Sequence, residues 1–148
     1  MNRVDKAVEL FKQGCTCSQA VFVAYADIYG IDEPTALKLS VSFGGGMGGM
    51  REVCGTVSAM TMVAGLSTNS EDSKTLRRDS YELTKLLAGR FKEQNGSIVC
   101  RQLLGLEPGL PEGCKKKPCV EYVRTCAKLI EELILNKEQK FNAETSGA

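Results

Sequence analysis

The sequence contains no histidine and no tryptophan. Without histidine there can be no Ser-His-Asp triad, no Cys-His dyad, no histidine ligand for zinc and no Cys-x-x-Cys-His haem attachment. Aromatic residues make up only 6% of the chain and the formal net charge is +1, so neither a base-stacking surface nor a basic face is indicated. We therefore expect no nucleic-acid partner.

Long apolar runs are absent as well. No run approaches the roughly 18 residues of a membrane span, and the N-terminus has helical periodicity and charged residues where a signal peptide has an apolar core. These features predict a cytoplasmic protein without membrane insertion. In that compartment permanent disulfides are uncommon, so an excess of cysteine indicates metal or redox chemistry.

Helical periodicity runs through most of the 148 residues, whereas strand alternation does not persist over a useful length. The pattern predicts an all-α, compact single-domain bundle of about six or seven helices over residues 1–136, followed by a polar tail over 137–148. The last predicted helix, beginning near Pro118, carries two adjacent apolar stripes. So wide an apolar face suits either a core or a homodimer interface.

Local signals mark several helix boundaries. Thr16 and Gln19 form the pattern of a capping box, and Asp32 followed by Pro34 is typical of a helix start. A nearly all-round apolar helix is predicted over about 52–66. A long amphipathic helix is predicted to end at Asn95, before Gly96, and a short helix to begin at Ser97.

Residues 44–50 hold five glycines in seven positions, which neither a helix nor a strand accommodates well. Such a loop ahead of a helix could cradle a phosphate-containing cofactor, and we name Gly45, Gly46 and Gly48 as candidate cofactor-binding residues. The loop lacks the Lys-Ser/Thr of a P-loop, however. A tight turn that lets the backbone pack beside Cys54 is the competing interpretation.

Four of the seven cysteines fall in the first turn of a predicted helix: Cys17, Cys54, Cys100 and Cys119. A helix N-terminus has unpaired N–H groups and a partial positive charge, so a thiolate there is stabilised and its pKa is expected to fall. If the four helix starts converge, the four thiolates form one site. Four thiolates accept zinc, iron or a [2Fe–2S] cluster, which takes two cysteines per iron.

Other interpretations stay open at this point. The same cysteines could work without a metal as redox-active catalytic thiols, with Cys54 attacking a disulfide and a second cysteine resolving it. They could form a structural or trafficking site for zinc or copper(I). They could also be buried residues of a helical interaction domain, since free cysteine is among the most buried residue types.

The order of these motifs resembles the C-GCAxxG-C-C family of redox-active proteins. The resemblance spans about residues 10–130 and is carried by Cys17 to Val21, Phe43 to Gly48, Cys54 to Ala59, Cys100, and Cys119 with Tyr122 and Val123. On this resemblance the four signature cysteines are Cys17, Cys54, Cys100 and Cys119. The chain has Thr56 and Ala59 where a Cys-Gly-Ala-x-x-Gly motif has alanine and glycine, and Cys15, Cys114 and Cys126 have no counterpart.

The family resemblance implies cysteine-based redox activity. A similar domain occurs in split-Soret cytochromes, where haem accompanies an iron–sulfur site; haem with histidine ligands does not carry over, because this chain has no histidine. The leading hypothesis is an iron–sulfur electron-transfer protein that serves a redox partner protein of unknown identity.

Overall fold

The computed structural model describes residues 1–136, so the tail predicted over 137–148 lies outside the described residues. The described chain is all-α, and its only β-type pairing is an isolated antiparallel bridge between Val53 and Val99. The helices are α1 (Arg3–Lys12), α2 (Cys17–Ala26), α3 (Glu33–Val41), α4 (Gly55–Ser67), α5 (Ser73–Asn95), α6 (Cys100–Leu103) and α7 (Cys119–Ile130). A 3₁₀ turn (Asp27–Tyr29) follows α2, and a π-helical turn (Glu131–Leu135) continues α7.

Helix α2 lies at the centre of the bundle and packs against α1, α3, α4 and α7. Eight of its ten residues are buried, which fits its nearly uniform apolar sequence. Small side chains let its neighbours approach closely: Ala20 and Ala24 on α2, and Ala59 on α4, are fully buried. The all-α prediction is therefore confirmed.

Several predicted helix boundaries are confirmed by their caps. The Thr16 side chain accepts from the Gln19 N–H while the Gln19 side chain accepts from the Thr16 N–H, which completes the capping box that starts α2. The Asp32 side chain caps α3 by accepting a hydrogen bond from the Thr35 N–H. Gly96, in the left-handed conformation, ends α5.

Two helices begin later than the sequence predicts. Helix α4 starts at Gly55 instead of near 52, and α6 starts at Cys100 instead of Ser97. The reason is a tertiary pairing between the two segments that precede these helices. The Cys54 N–H donates to the Ile98 carbonyl at 2.8 Å, and the Cys100 N–H donates to the Glu52 carbonyl at 2.6 Å. Extended backbone in this pairing replaces the predicted first turns.

The wide apolar face of α7 is used within the chain. Val123, Cys126, Ala127 and Ile130 are all completely buried, and α7 packs against α1, α2, α4 and α5. A homodimer stays a prediction. Among residues 1–136, no helix combines the length and the hydropathy that a membrane crossing would need.

Candidate four-cysteine site

The four predicted cysteines lie at the starts of four different helices. Cys17, Cys100 and Cys119 are the first residues of α2, α6 and α7, and Cys54 is the N-cap of α4. All four line one cavity of about 240 Å³. The cavity is therefore formed where helices distant in sequence bring their N-terminal ends together.

The thiols are near enough to influence one another electrostatically. A thiolate at Cys100 raises the pKa of Cys17, a thiolate at Cys17 raises the pKa of Cys54, and thiolates at both Cys17 and Cys100 raise the pKa of Cys119. Cys54 and Cys100 are buried, and Cys17 and Cys119 are half-buried. This mutual influence links all four residues into one group.

The other three cysteines lie elsewhere. Cys15, Cys114 and Cys126 do not line the cavity, although Cys126 is completely buried close to it. Cys114 packs against the end of α5, where its Sγ lies 2.9 Å from the position that a Cβ at Gly96 would take. All seven cysteines are free thiols.

The cavity that the four thiols line is wider than one ion. Within the described part of the chain, no group of three or more Cys, Asp and Glu side chains is arranged so that it could hold a single metal ion. The cavity volume of about 240 Å³ compares with roughly 30 Å³ for one water molecule in the liquid. A polynuclear group or a small molecule fits this space better than one closely coordinated ion.

The glycine-rich loop forms one wall of the cavity. Five consecutive residues, 45–49, have positive φ angles between 60° and 76°, a left-handed run that glycine makes accessible. A Cβ at Gly46 would lie 2.7 Å from the Cβ of Cys100 and 2.7 Å from the Cα of Arg51. Glycine at this position therefore lets the loop pack directly against the start of α6.

The three glycines named as candidate cofactor-binding residues occupy different positions. Gly45 lines the cavity, and its N–H donates a hydrogen bond to Cys17 that lowers the pKa of this thiol against the larger effect of burial. Gly46 packs directly against the side chain of Cys100. Gly48 does not line the cavity, and its N–H donates to the Ser42 carbonyl.

Gly55 brings the start of α4 into contact with the start of α2. A Cβ at this position would lie 2.8 Å from Cys17 Sγ and 2.7 Å from the Phe43 carbonyl oxygen. Distances this short are not compatible with a side chain unless the backbone moves. Gly55 therefore sets how closely Cys17 and Cys54 approach.

The expectation that helix starts lower the thiol pKa values is wrong for three of the four cysteines. Burial, which removes the water that would stabilise a thiolate, raises the pKa of Cys17 and Cys119 and raises that of Cys54 to about 12. At these sites desolvation outweighs the helix ends. Cys54 is consequently a poor attacking thiolate near neutral pH, contrary to the role that the metal-free hypothesis gives it.

Two polar residues of the cavity were missed by the sequence reasoning. Arg51 is the only charged residue among the described residues that line the cavity, and its Nη1 lies 3.8 Å from Cys100 Sγ. The Thr56 Oγ1 lies 3.0 Å from Cys54 Sγ. The threonine at the alanine position of the family motif was a usable signal for Thr56. Arg51 reaches the site through its left-handed backbone (φ 62°).

The remaining lining is mainly apolar, with Phe11, Leu103, Leu104 and Tyr122 contributing side chains. Tyr122 is held in place by two hydrogen bonds, donating to the Leu103 carbonyl and accepting from the Lys117 N–H. The site thus combines four thiols, one cation and an apolar wall.

Comparison with known proteins gives one match. No curated protein and no solved structure matches the chain. A family model described as "Putative redox-active protein (C_GCAxxG_C_C)" matches residues 15–133, which is well over half of the chain and includes all four cavity cysteines. The chain belongs to the C_GCAxxG_C_C family of redox-active proteins.

Proposed function

We propose that Cys17, Cys54, Cys100 and Cys119 together hold an iron–sulfur cluster, with [2Fe–2S] the favoured type, and that the protein transfers single electrons to and from a redox partner. The observation that carries this proposal is the convergence of four thiols, from four separate helix starts, on one cavity. Four cysteines are the usual ligand number for such clusters.

The donor chemistry supports a sulfur-ligated group. The chain has no histidine, and no carboxylate is found among the described residues that line the cavity. Thiolates are soft ligands that favour iron–sulfur clusters, zinc and copper(I) over magnesium, calcium or manganese. The identity of the donors therefore restricts the occupant to a short list.

The size of the cavity favours a cluster within that list. The four thiols line a cavity of about 240 Å³, and among the described residues no three of them are arranged to hold a single ion. A structural zinc site is closed, with four sulfur ligands about 2.3 Å from the ion. A cluster distributes its ligands over more than one iron, which suits a wider set of sulfurs.

The raised thiol pKa values are consistent with a cationic occupant. Burial makes three of these thiols resist ionisation while they are empty, and a bound cation reverses that preference by neutralising the thiolates. Metal binding therefore releases protons from these residues and contributes folding free energy. Cys17, Cys54 and Cys119 therefore favour the neutral thiol while the site is empty and become anionic when its occupant compensates the charge.

The surrounding residues define the environment of the electron. When bound, the cluster supplies one-electron chemistry at iron. The apolar side chains of Phe11, Leu103 and Tyr122 limit water, and the Arg51 guanidinium and the Gly45 N–H offer positive charge or a hydrogen-bond donor to the sulfurs. Both polar groups stabilise the more negative reduced state and so raise the reduction potential.

Anaerobic purification tests the proposal. We expect a coloured protein with two irons and two acid-labile sulfides per chain, as a [2Fe–2S] cluster requires, and an electron paramagnetic resonance signal after reduction. The same measurements follow anaerobic reconstitution with ferrous iron and sulfide. A colourless protein that stays iron-free after reconstitution would refute the proposal.

Two alternative outcomes identify the competing functions. Stoichiometric zinc or copper(I) without redox turnover would support a structural or trafficking module. A metal-free protein in which two of the four thiols cycle between dithiol and disulfide would support a dithiol–disulfide oxidoreductase. In that case the attacking thiol should not be Cys54, because burial raises its pKa to about 12.

A further inference from the structure

A hydroxyl group lies beneath the cavity, in direct contact with one of the four thiols. Thr56, the second residue of α4, is fully buried and lines the cavity. Its Oγ1 lies 3.0 Å from Cys54 Sγ, well within hydrogen-bonding distance for an oxygen and a sulfur. The sequence around it is otherwise small or apolar, so this hydroxyl is the exception within the buried part of the helix.

Ligation fixes the direction of this hydrogen bond. In the metal-free protein either atom can donate, since the hydroxyl and the thiol each carry a proton. A thiolate that ligates a metal has no proton, so Cys54 can then only accept, and the Thr56 proton must point towards it.

We propose that Thr56 is a positioning and potential-tuning residue, whose hydroxyl donates to Cys54 Sγ. This inference rests on the proposed function, because the donation matters for the potential only when Cys54 is a cluster ligand. Hydrogen bonds to cluster sulfurs stabilise the reduced state, and they act strongly where water is excluded. The hydroxyl thus raises the reduction potential of the cluster.

The midpoint potential of the loaded protein tests the role of Thr56. Thr56→Val keeps the shape of the side chain and removes the donor, and it should lower the equilibrium constant for reduction about tenfold, or about 59 mV for one electron. Thr56→Ser keeps the hydroxyl and should retain the wild-type potential. Thr61→Val is the matched control, since Thr61 is on the same helix but donates to the Val57 carbonyl, away from the cavity.

Equal potentials in wild type and Thr56→Val, both with full iron content, would overturn the inference.

A measurement on the metal-free protein separates this inference from the proposed function. The unfolding free energies of Thr56→Val, Cys54→Ala and the double variant should be non-additive, because the two side chains share one hydrogen bond. Additive values would overturn the Thr56–Cys54 contact whether or not a cluster binds. A wild-type protein that never loads iron overturns the proposed function, and with it the tuning role, while leaving this cycle to report on the contact.

Discussion

The apolar core and the four-cysteine cavity are built from the same helices but depend on different properties of their residues. In the core, α2, α4 and α7 meet through side chains such as Ala20, Ala59 and Ile130, which fill space. At the cavity, the starts of these helices meet through glycine backbone and thiols. Core positions should therefore control stability alone, whereas cavity positions should also control the loading and reduction potential of the bound cluster. Variants at the two kinds of position test that division.

The largest effect on stability is expected from a core truncation. Ile130 is completely buried and lies eleven residues after Cys119, about 16 Å along the helix axis. Ile130→Ala should reduce the free energy of unfolding by about 2–5 kcal/mol, because it leaves a cavity in a packed interior. Urea titration measures the loss. The iron content and midpoint potential of the folded fraction should be unchanged; a shifted potential would show that core and site are coupled.

High pH should destabilise the metal-free protein through the cavity. Burial raises the pKa of Cys54 from its ordinary value of 9.0 to about 12, so the folded state holds this proton more tightly than the unfolded state. The resulting stabilisation is complete below pH 9 and is lost as the pH rises towards 12, and for three pKa units it amounts to on the order of 4 kcal/mol.

Cys54→Ala provides the comparison for this pH effect. The stability difference between wild type and Cys54→Ala should be constant below pH 9 and should move in favour of the variant between pH 9 and 12. Urea titrations under reducing conditions at several pH values measure it. A difference that does not change with pH would contradict the account of Cys54 as a desolvated, neutral thiol.

A glycine at the cavity should be far less replaceable than a glycine in the last turn of the same helix. Gly55→Ala places a Cβ against the Phe43 carbonyl and Cys17 Sγ and should cost about 1–3 kcal/mol of stability and reduce cluster loading. Gly65, also on α4, has open space at its Cβ position, so Gly65→Ala should stabilise by about 0.5–1 kcal/mol. Thermal unfolding and iron analysis of both variants distinguish the two sites.

The smallest effect is expected from the cavity's charged residue. Arg51→Gln removes the guanidinium beside Cys100 and should lower the reduction equilibrium constant roughly twofold to fivefold, because this partly exposed charge is screened by water. Arg124→Gln is the control, since Arg124 pairs with Glu121 and does not line the cavity. Equal potentials for the two variants would assign Arg51 a purely structural role.

The parts of the fold that depend on local chemistry were predictable from the sequence. Thr16 with Gln19, Asp32 ahead of Pro34, and Gly96 act over three or four residues, so their patterns mark helix ends directly. The starts of α4 and α6 were not predictable in this way. They are set by pairing between residues near 53 and 99, which are remote in the sequence and carry no local signal of that contact.

The candidate site shows the same division. The positions of the four cysteines at helix starts follow from local patterns, and the family resemblance selects the same four residues. The direction of their pKa shifts does not follow, because it depends on burial among side chains that the fold brings together from different helices, such as Phe11 of α1, Leu103 of α6 and Tyr122 of α7. Arg51 was missed for a related reason: a left-handed arginine is placed by the glycine loop and by the close approach of Gly46 to Cys100.

The most direct test of the central claim is bound iron per chain in the seven single Cys→Ser variants, each reconstituted anaerobically and compared with wild type. We predict that variants of Cys17, Cys54, Cys100 and Cys119 lose the cluster or bind it substoichiometrically, while variants of Cys15, Cys114 and Cys126 keep the wild-type iron content. Full loading in any two of the first four variants, or loss of iron in the other three, would contradict a single site formed by the four helix-start thiols.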